Sequence, residues 1–306
     1  MNGPSQVQAA ESRARTGLLY GLFAYGLWGV LPIYFKQLTG VSAIDIVAHR
    51  IVWSLFFLGL LLTLTGGWTE ARAAVRHRRT LLLLLATSVL IALNWLIYVY
   101  AVTSGHILAG SLGYYLNPLM NIVLGRFILK ERLTRTQWLA VAIAAAGVSV
   151  LAAGAGTTLW ISLTLCVSFA TYGLLRKIVA VESIAGLAIE TTILCPLAVA
   201  WLAWGAAQGL PSFGATSTEA LLLVAAGVIS STPLLLFTAA ARRLRYSTLG
   251  MLQFLLAVAI YGEDVTGAHA IAFAAIWTAL LLYVISLLHE RRAQRLADEA
   301  PELSES

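Results

Sequence analysis

The sequence predicts an all-α membrane protein with ten transmembrane helices in two inverted five-helix repeats. Three observations lead there. The chain is 59% hydrophobic and only 11% charged, whereas a soluble domain carries about 25% charged residues. Ten long apolar stretches follow one another, each near the roughly 20 residues that cross a bilayer. Basic residues gather in alternate connections between those stretches. With lipid as the main solvent, backbone groups must bond within each segment, which selects helices. The ten-residue alternation of an outer-membrane barrel is absent from the sequence.

The stretches run 17–37, 44–65, 80–103, 107–129, 136–154, 157–179, 184–207, 219–241, 246–262 and 267–289. Residues 1–16 are polar and read as a cytoplasmic tail rather than a cleavable leader. The first stretch carries Gly21, Gly26 and Gly29, which permit close helix approach. The second opens on Asp45, His49 and Arg50 and ends at Gly66-Gly67. The third holds Asn94 and Tyr98 at i,i+4 spacing, so they share a face. In the fourth, Pro118 removes a helical donor, and Tyr114, Tyr115, Asn117 and Asn121 surround it. The fifth, rich in alanine, completes a first repeat at 17–154, and 157–289 forms a second. Cys166 and Cys195 lie within apolar runs of the sixth and seventh, as small buried residues rather than disulfide partners or metal ligands. The seventh also contains Glu190, the one acid deep within a span. The break GLPSFGATST (209–218) precedes the eighth. The ninth is short: Tyr246 to Tyr261 rises about 24 Å, against a hydrocarbon core of roughly 30 Å. The charged stretch 290–306 reads as a second cytoplasmic tail.

Charge orders these spans. Seventeen of the 20 Lys and Arg residues fall on alternate connections, in clusters such as Arg72 to Arg79, Lys130 to Arg135 and Arg242 to Arg245. The opposite connections hold Lys36 alone, with Arg50 and Arg126 inside spans. That asymmetry places both termini in the cytoplasm. It also accounts for the net charge of +6 and a pI near 9.5, so nucleic acid is not an expected partner.

The halves echo one another. KERLTRTQWLAVAIAAAGV (130–148) pairs with GEDVTGAHAIAFAAIWTAL (262–280), matching Glu131 to Glu263 and Thr134 to Thr266. Five spans per half force opposite insertion, the inverted-repeat architecture of secondary transporters. The motifs AYGLWGVLPIYFKQL, AHRIVWS, LNWLIYVYAV, LGYYLNPL, AIET and FLLAVAIYGE with FAAIWTALLLY resemble the RarD family, in the EamA-type branch of the drug/metabolite transporter superfamily. The resemblance covers about 17–289. It implies a ten-helix fold and a permease of the bacterial inner membrane, and leaves the substrate open. One departure is visible. Seventeen residues separate Gly113 from Glu131 but 12 separate Gly250 from Glu263, because a stretch the family has between the positions of Gln253 and Phe254 is missing.

Polar groups within spans are functional candidates by default. Those expected to line a substrate cavity are Asp45, His49, Arg50, Trp53, Asn94, Tyr98, Tyr114, Tyr115, Asn117, Asn121, Glu190 and Gln253. For Arg50 three fates are open: snorkelling to the headgroups, an ion pair, or a ligand contact. For Glu190 the alternatives are a proton-coupling site, shared with its rough counterpart His49, and a fixed pair between helices. No HExxH, GxSxG, GxGD or P-loop pattern occurs in the sequence, so neither an enzyme nor an ATPase is expected, and no catalytic residue, metal or cofactor. The expected function is alternating-access transport of a small metabolite or drug-like solute; the alternative is a non-transporting sensor or assembly partner. Expected partners are the solute, the lipid bilayer, protons and a second copy of the chain in a homodimer.

Overall fold

Each expected stretch forms a helix, and an eleventh, short helix lies between the second and third. The computed structural model describes residues 4–38, 40–104, 106–153, 156–210, 213–260 and 267–299. In chain order the helices are α1 (Pro4–Phe35), α2 (Ala43–Thr65), α3 (Trp68–Arg76), α4 (Arg78–Thr103), α5 (Ile107–Phe127), α6 (Arg135–Ala153), α7 (Leu159–Ile178), α8 (Ser183–Ala207), α9 (Ser217–Ala241), α10 (Tyr246–Ile260) and α11 (Gly267–Glu299). Among the described residues, eight segments are long and apolar enough to cross a membrane; α3, α5 and α10 supply none of them.

One expectation is corrected. The connection after Gly67 is not a plain linker. α3 puts Ala71 and Ala74 inward and its arginines outward, with Glu70 in its first turn and Arg76 in its last, as the helix dipole favours. Its high charge hid it from a search for apolar runs. The polar tails are helical where described: α1 begins at Pro4 and α11 runs to Glu299. Of the ninth stretch, Tyr246–Ile260 is described, and it is helical throughout; residues 261 and 262 lie outside the described residues. Glu263 and Thr266 of the internal echo lie outside the described residues.

Local chemistry fixes several helix ends. Ser42 accepts the Asp45 N–H at 3.1 Å and starts α2. Gly66, with φ of 69°, ends it in the left-handed region. Thr216 and Glu219 form a reciprocal capping box on α9. α10 is capped from a different part of the chain. The Glu131 carboxylate accepts the backbone N–H groups of Tyr246 (2.5 Å) and Ser247 (3.1 Å) and the Ser247 hydroxyl (2.6 Å).

The most extensive helix pairings are α6–α11, α5–α7, α2–α8, α1–α9, α2–α9, α5–α10 and α4–α7. Each joins a helix before residue 154 to one after it, so the two halves interleave. Small residues allow this without a hydrophobic drive between helices. A Cβ on Gly147 of α6 would stand 2.6 Å from the Ala275 Cβ of α11, and one on Gly250 of α10 would stand 2.7 Å from the Pro118 carbonyl oxygen of α5. The largest buried cluster draws mainly on α1, α2, α4, α7, α8 and α9, with Ala71 and Ala74 of α3 and Tyr246 and Leu249 of α10 at its edge. A second draws on α5, α6, α10 and α11. The six main helices of the first cluster form a central body, and the candidate site lies inside it.

Candidate functional site

Four helices of the central body meet around a pocket. It is lined by Arg50 and Ser54 of α2, Trp95 of α4, Thr191 of α8, and Ser230 and Ser231 of α9, with Ile and Leu side chains of α2, α8 and α9 completing the wall. Ser54 and Ser230 stand near the midpoints of α2 and α9, so the pocket is at mid-depth. In the described conformation its cavity volume is about 10 Å³, room for a single water, so a solute enters only if these helices part. The close approach of α2 and α9 shapes it. Gly227 lies against the backbone of Trp53 and Ser54 with no room for a Cβ, and the Ser54 hydroxyl donates to the Gly227 carbonyl at 3.1 Å. The Ser231 hydroxyl in turn donates to Ser54 Oγ at 2.6 Å. These bonds tie the two helices together, so these hydroxyls are occupied.

Arg50 is the charged residue of this lining. Its guanidinium carbon stands 4.1 Å from the centroid of the Trp95 ring, a cation–π distance. Tyr34, Tyr98 and Tyr114 are within its electrostatic reach. Among the described residues no carboxylate lies within ion-pair distance of it, and its Nε has no hydrogen-bond partner. Arg50 thus lines the pocket and rests on Trp95 without an ion-pair partner among the described residues. The nearby Trp53 Nε1 and Ser230 Oγ also lack partners among the described residues.

A second polar cluster sits about 12 Å away along α4, the rise from Trp95 back to Thr87. Glu190 of α8 faces Arg176 of α7, with Nε to Oε1 at 3.5 Å and side-chain exposures of 1% and 0%. The Thr87 hydroxyl donates to Glu190 Oε1 at 2.6 Å, and the Tyr172 hydroxyl donates to Oε2 at 3.2 Å. Arg176 also donates to the Ser183 carbonyl at 3.2 Å. Gly186 makes room for the guanidinium, which lies where its Cβ would be. This cluster clamps α4, α7 and α8 together.

The remaining candidates scatter. Asp45 is at the start of α2, where its Oδ2 accepts the Ser42 hydroxyl at 2.7 Å and its Oδ1 accepts Trp201 Nε1 at 2.9 Å. His49 is buried, with its ring 4.7 Å from that of Phe213, edge to face. Trp53 is 6.4 Å from the same phenylalanine. Asn94 donates to the Leu165 carbonyl and to Ser168 Oγ, both at 3.0 Å, and so joins α4 to α7. Tyr98 and Tyr114 are 6.0 Å apart, on the Arg50 side. Tyr115 packs on Phe273 in the second core, away from the pocket. Asn117 donates to Gln253 Oε1 at 2.7 Å across the α5–α10 seam. Asn121, 0% exposed on the same seam, has both amide atoms without a partner among the described residues.

Sequence reasoning assigned Arg176 to a cytoplasmic loop cluster and did not name Thr87, Tyr172, Trp95 or Ser230. One signal for Arg176 was present. An acid deep in a span needs a cation, and Arg176 is four residues past Tyr172, on the face that carries it.

Comparison with known proteins gives a consistent picture. Residues 15–153 match the model of the EamA-like transporter family. The chain is 43% identical over 295 residues to an "Uncharacterized transporter" of Vibrio cholerae, covering 94% of this chain and 98% of the relative. It is 42% identical over 288 residues to "Protein RarD" of Escherichia coli, covering 92% and 97%. One solved crystal structure superposes with a TM-score of 0.64 at 20% identity, covering 89% of this chain and 98% of the other. At that identity the likeness concerns the fold alone.

Proposed function

The chain belongs to the RarD family of EamA-like transporters, a multi-pass membrane family, and on that premise we propose that it is a secondary transporter whose solute site is the Arg50 pocket. The observation that carries this reading is the pocket itself, a cleft with one arginine, one tryptophan and four hydroxyl residues near the middle of its helices, where α2 and α4 of one half meet α8 and α9 of the other. Solute sites between repeats near the midplane are the rule for inverted-repeat transporters.

The proposed repeat pairs α1, α2, α4, α5 and α6 with α7, α8, α9, α10 and α11. Helix neighbours support it. Exchanging each helix for its counterpart turns α1–α9 into α7–α4, α2–α9 into α8–α4, and α5–α7 into α10–α1, and all of these are packed pairs. The pairs α2–α8, α5–α10 and α6–α11 map onto themselves. The positive-inside pattern supports cytoplasmic termini, and relatives such as that of Escherichia coli support the bacterial inner membrane. Solute passage would follow rocking of one half against the other.

Glu190 is proposed as a clasp rather than the proton carrier, because Arg176, Thr87 and Tyr172 all hold it. Proton coupling through Glu190 or His49 is testable by uptake under an imposed pH gradient: Glu190→Gln that retains the parent's pH dependence would leave the clasp role standing. The short spacing between Gly250 and Glu263 favours one other reading, a membrane protein that binds a solute without moving it.

Alternating access itself has a direct test. Ser230→Cys, in a chain otherwise stripped of its two cysteines, should react with an impermeant maleimide from either side of the membrane, in separate preparations. Protection from both sides, with or without solute, would sink the proposal. Reaction from one side only would favour the non-transporting reading.

A further inference from the structure

The groups left unused in and beside the Arg50 pocket all have one chemical character. Arg50 Nε, in the lining, and Trp53 Nε1, one turn along α2 but outside it, are hydrogen-bond donors without acceptors among the described residues. Ser230 Oγ can also donate. The other hydroxyl protons are committed: Ser231 donates to Ser54, Ser54 to the Gly227 carbonyl, and Thr191 to the Leu187 carbonyl at 2.8 Å, while their oxygens can still accept. The carboxylate that could have served an incoming cation, that of Glu190, is committed to Arg176. The lining therefore presents one positive charge and neutral hydroxyls, and no anion.

This excludes several solute chemistries. A cation would be repelled by the guanidinium. A zwitterion's ammonium would find no carboxylate in the lining. A neutral solute would leave the charge of Arg50 uncompensated away from water, which is costly. A dianion would exceed the single cation available. A monoanion with two coplanar oxygens fits the guanidinium fork. Aromatic surface from Trp95, Tyr98 and Tyr114 borders the charge, which suits a flat apolar body attached to it.

We propose that the Arg50 pocket selects solutes with a single carboxylate on a flat, apolar body. The inference rests on the reading of this pocket as the solute site, and it specifies what that site admits.

The test uses the purified full-length chain in detergent and four probes of similar size: benzoate, benzamide, benzylamine and phenylalanine. Thermal unfolding with each probe reports binding, because a ligand of the folded state raises the midpoint. Benzoate is expected to stabilise with at least tenfold higher affinity than any of the other three. Arg50→Gln should abolish that preference, and Arg50→Lys should keep the order of probes with weaker benzoate binding, because the charge remains and the fork does not. Should Arg50→Gln fail to fold, the probe order in the parent and in Arg50→Lys still decides. Equal or tighter binding of benzamide, benzylamine or phenylalanine overturns the proposal, as does a benzoate preference that survives Arg50→Gln, or no shift with any probe. Benzoate counterflow in proteoliposomes separates this from the transport reading. Selective binding without flux keeps the selectivity and sinks transport; flux that ignores the carboxylate does the reverse.

Discussion

Arg50 and Glu190 occupy matched positions and are treated in opposite ways. Arg50 is the eighth residue of α2 and Glu190 the eighth of α8, two helices that pack against each other. Glu190 is enclosed by a cation and two hydroxyls, and its neighbours span three helices. Arg50 rests on an aromatic face and keeps an unpaired donor. Glu190 is buried, and a buried charge without its partner costs several kcal/mol, so satisfying it holds helices together; Arg50 is only half-buried, which lets it stay unpaired at small cost and ready for something that arrives later. On this contrast, one end of the central body stores fold stability and the other stores binding capacity.

The contrast can be broken most directly at Glu190. Glu190→Ala strands Arg176 at 0% exposure and should lower unfolding stability by about 3 to 5 kcal/mol, read from denaturant or thermal unfolding in detergent. A loss under about 1 kcal/mol would mean the pair contributes little. Replacing both partners, Glu190→Leu with Arg176→Leu, should recover most of that loss, since apolar groups of similar volume often substitute for a buried pair without penalty. Smaller effects sharpen the boundary of the clasp. Asn94→Leu removes two hydrogen bonds between α4 and α7 and should cost about 1 kcal/mol; Tyr172→Phe removes one bond to Glu190 and should cost about 0.6 kcal/mol. The smallest change in stability is expected at Arg50. Arg50→Gln should stay within about 0.5 kcal/mol of the parent, because no partner is left unpaired by it, while carboxylate binding disappears. A large destabilisation by Arg50→Gln would erase the distinction between the two sites.

Much of this was legible in the sequence, for identifiable reasons. Helix positions followed from apolar runs and from Gly66-Gly67 and GLPSFGATST, because lipid leaves the backbone few alternatives. α3 was not found, since Arg72, Arg76 and Glu70 make it look like a loop. For Arg50 three alternatives stayed open. Which polar residues meet was not legible at all. Asn94 and Tyr98 share a face yet serve different partners, one bonding α7 and the other facing Tyr114. Arg176 sits beside Lys177 in a run that topology alone explains, and its burial depends on the space that Gly186 leaves across the α7–α8 turn. Such meetings are set by long-range packing, and spacing along one helix does not encode them.

The interleaving of the halves has a consequence for how the protein is made. α1 is complete at Phe35, but its main neighbour, α9, begins at Ser217. At ribosomal speeds of about 5 to 20 residues per second, that gap is roughly 10 to 40 s. For that interval the first helix waits in the bilayer with its small-residue face uncovered, so newborn chains depend on lipid, or on an insertase that shields such faces, until the late helices arrive. A chain cut after α6 would be more than inactive: it would present unfilled grooves to every quality-control protease in the membrane.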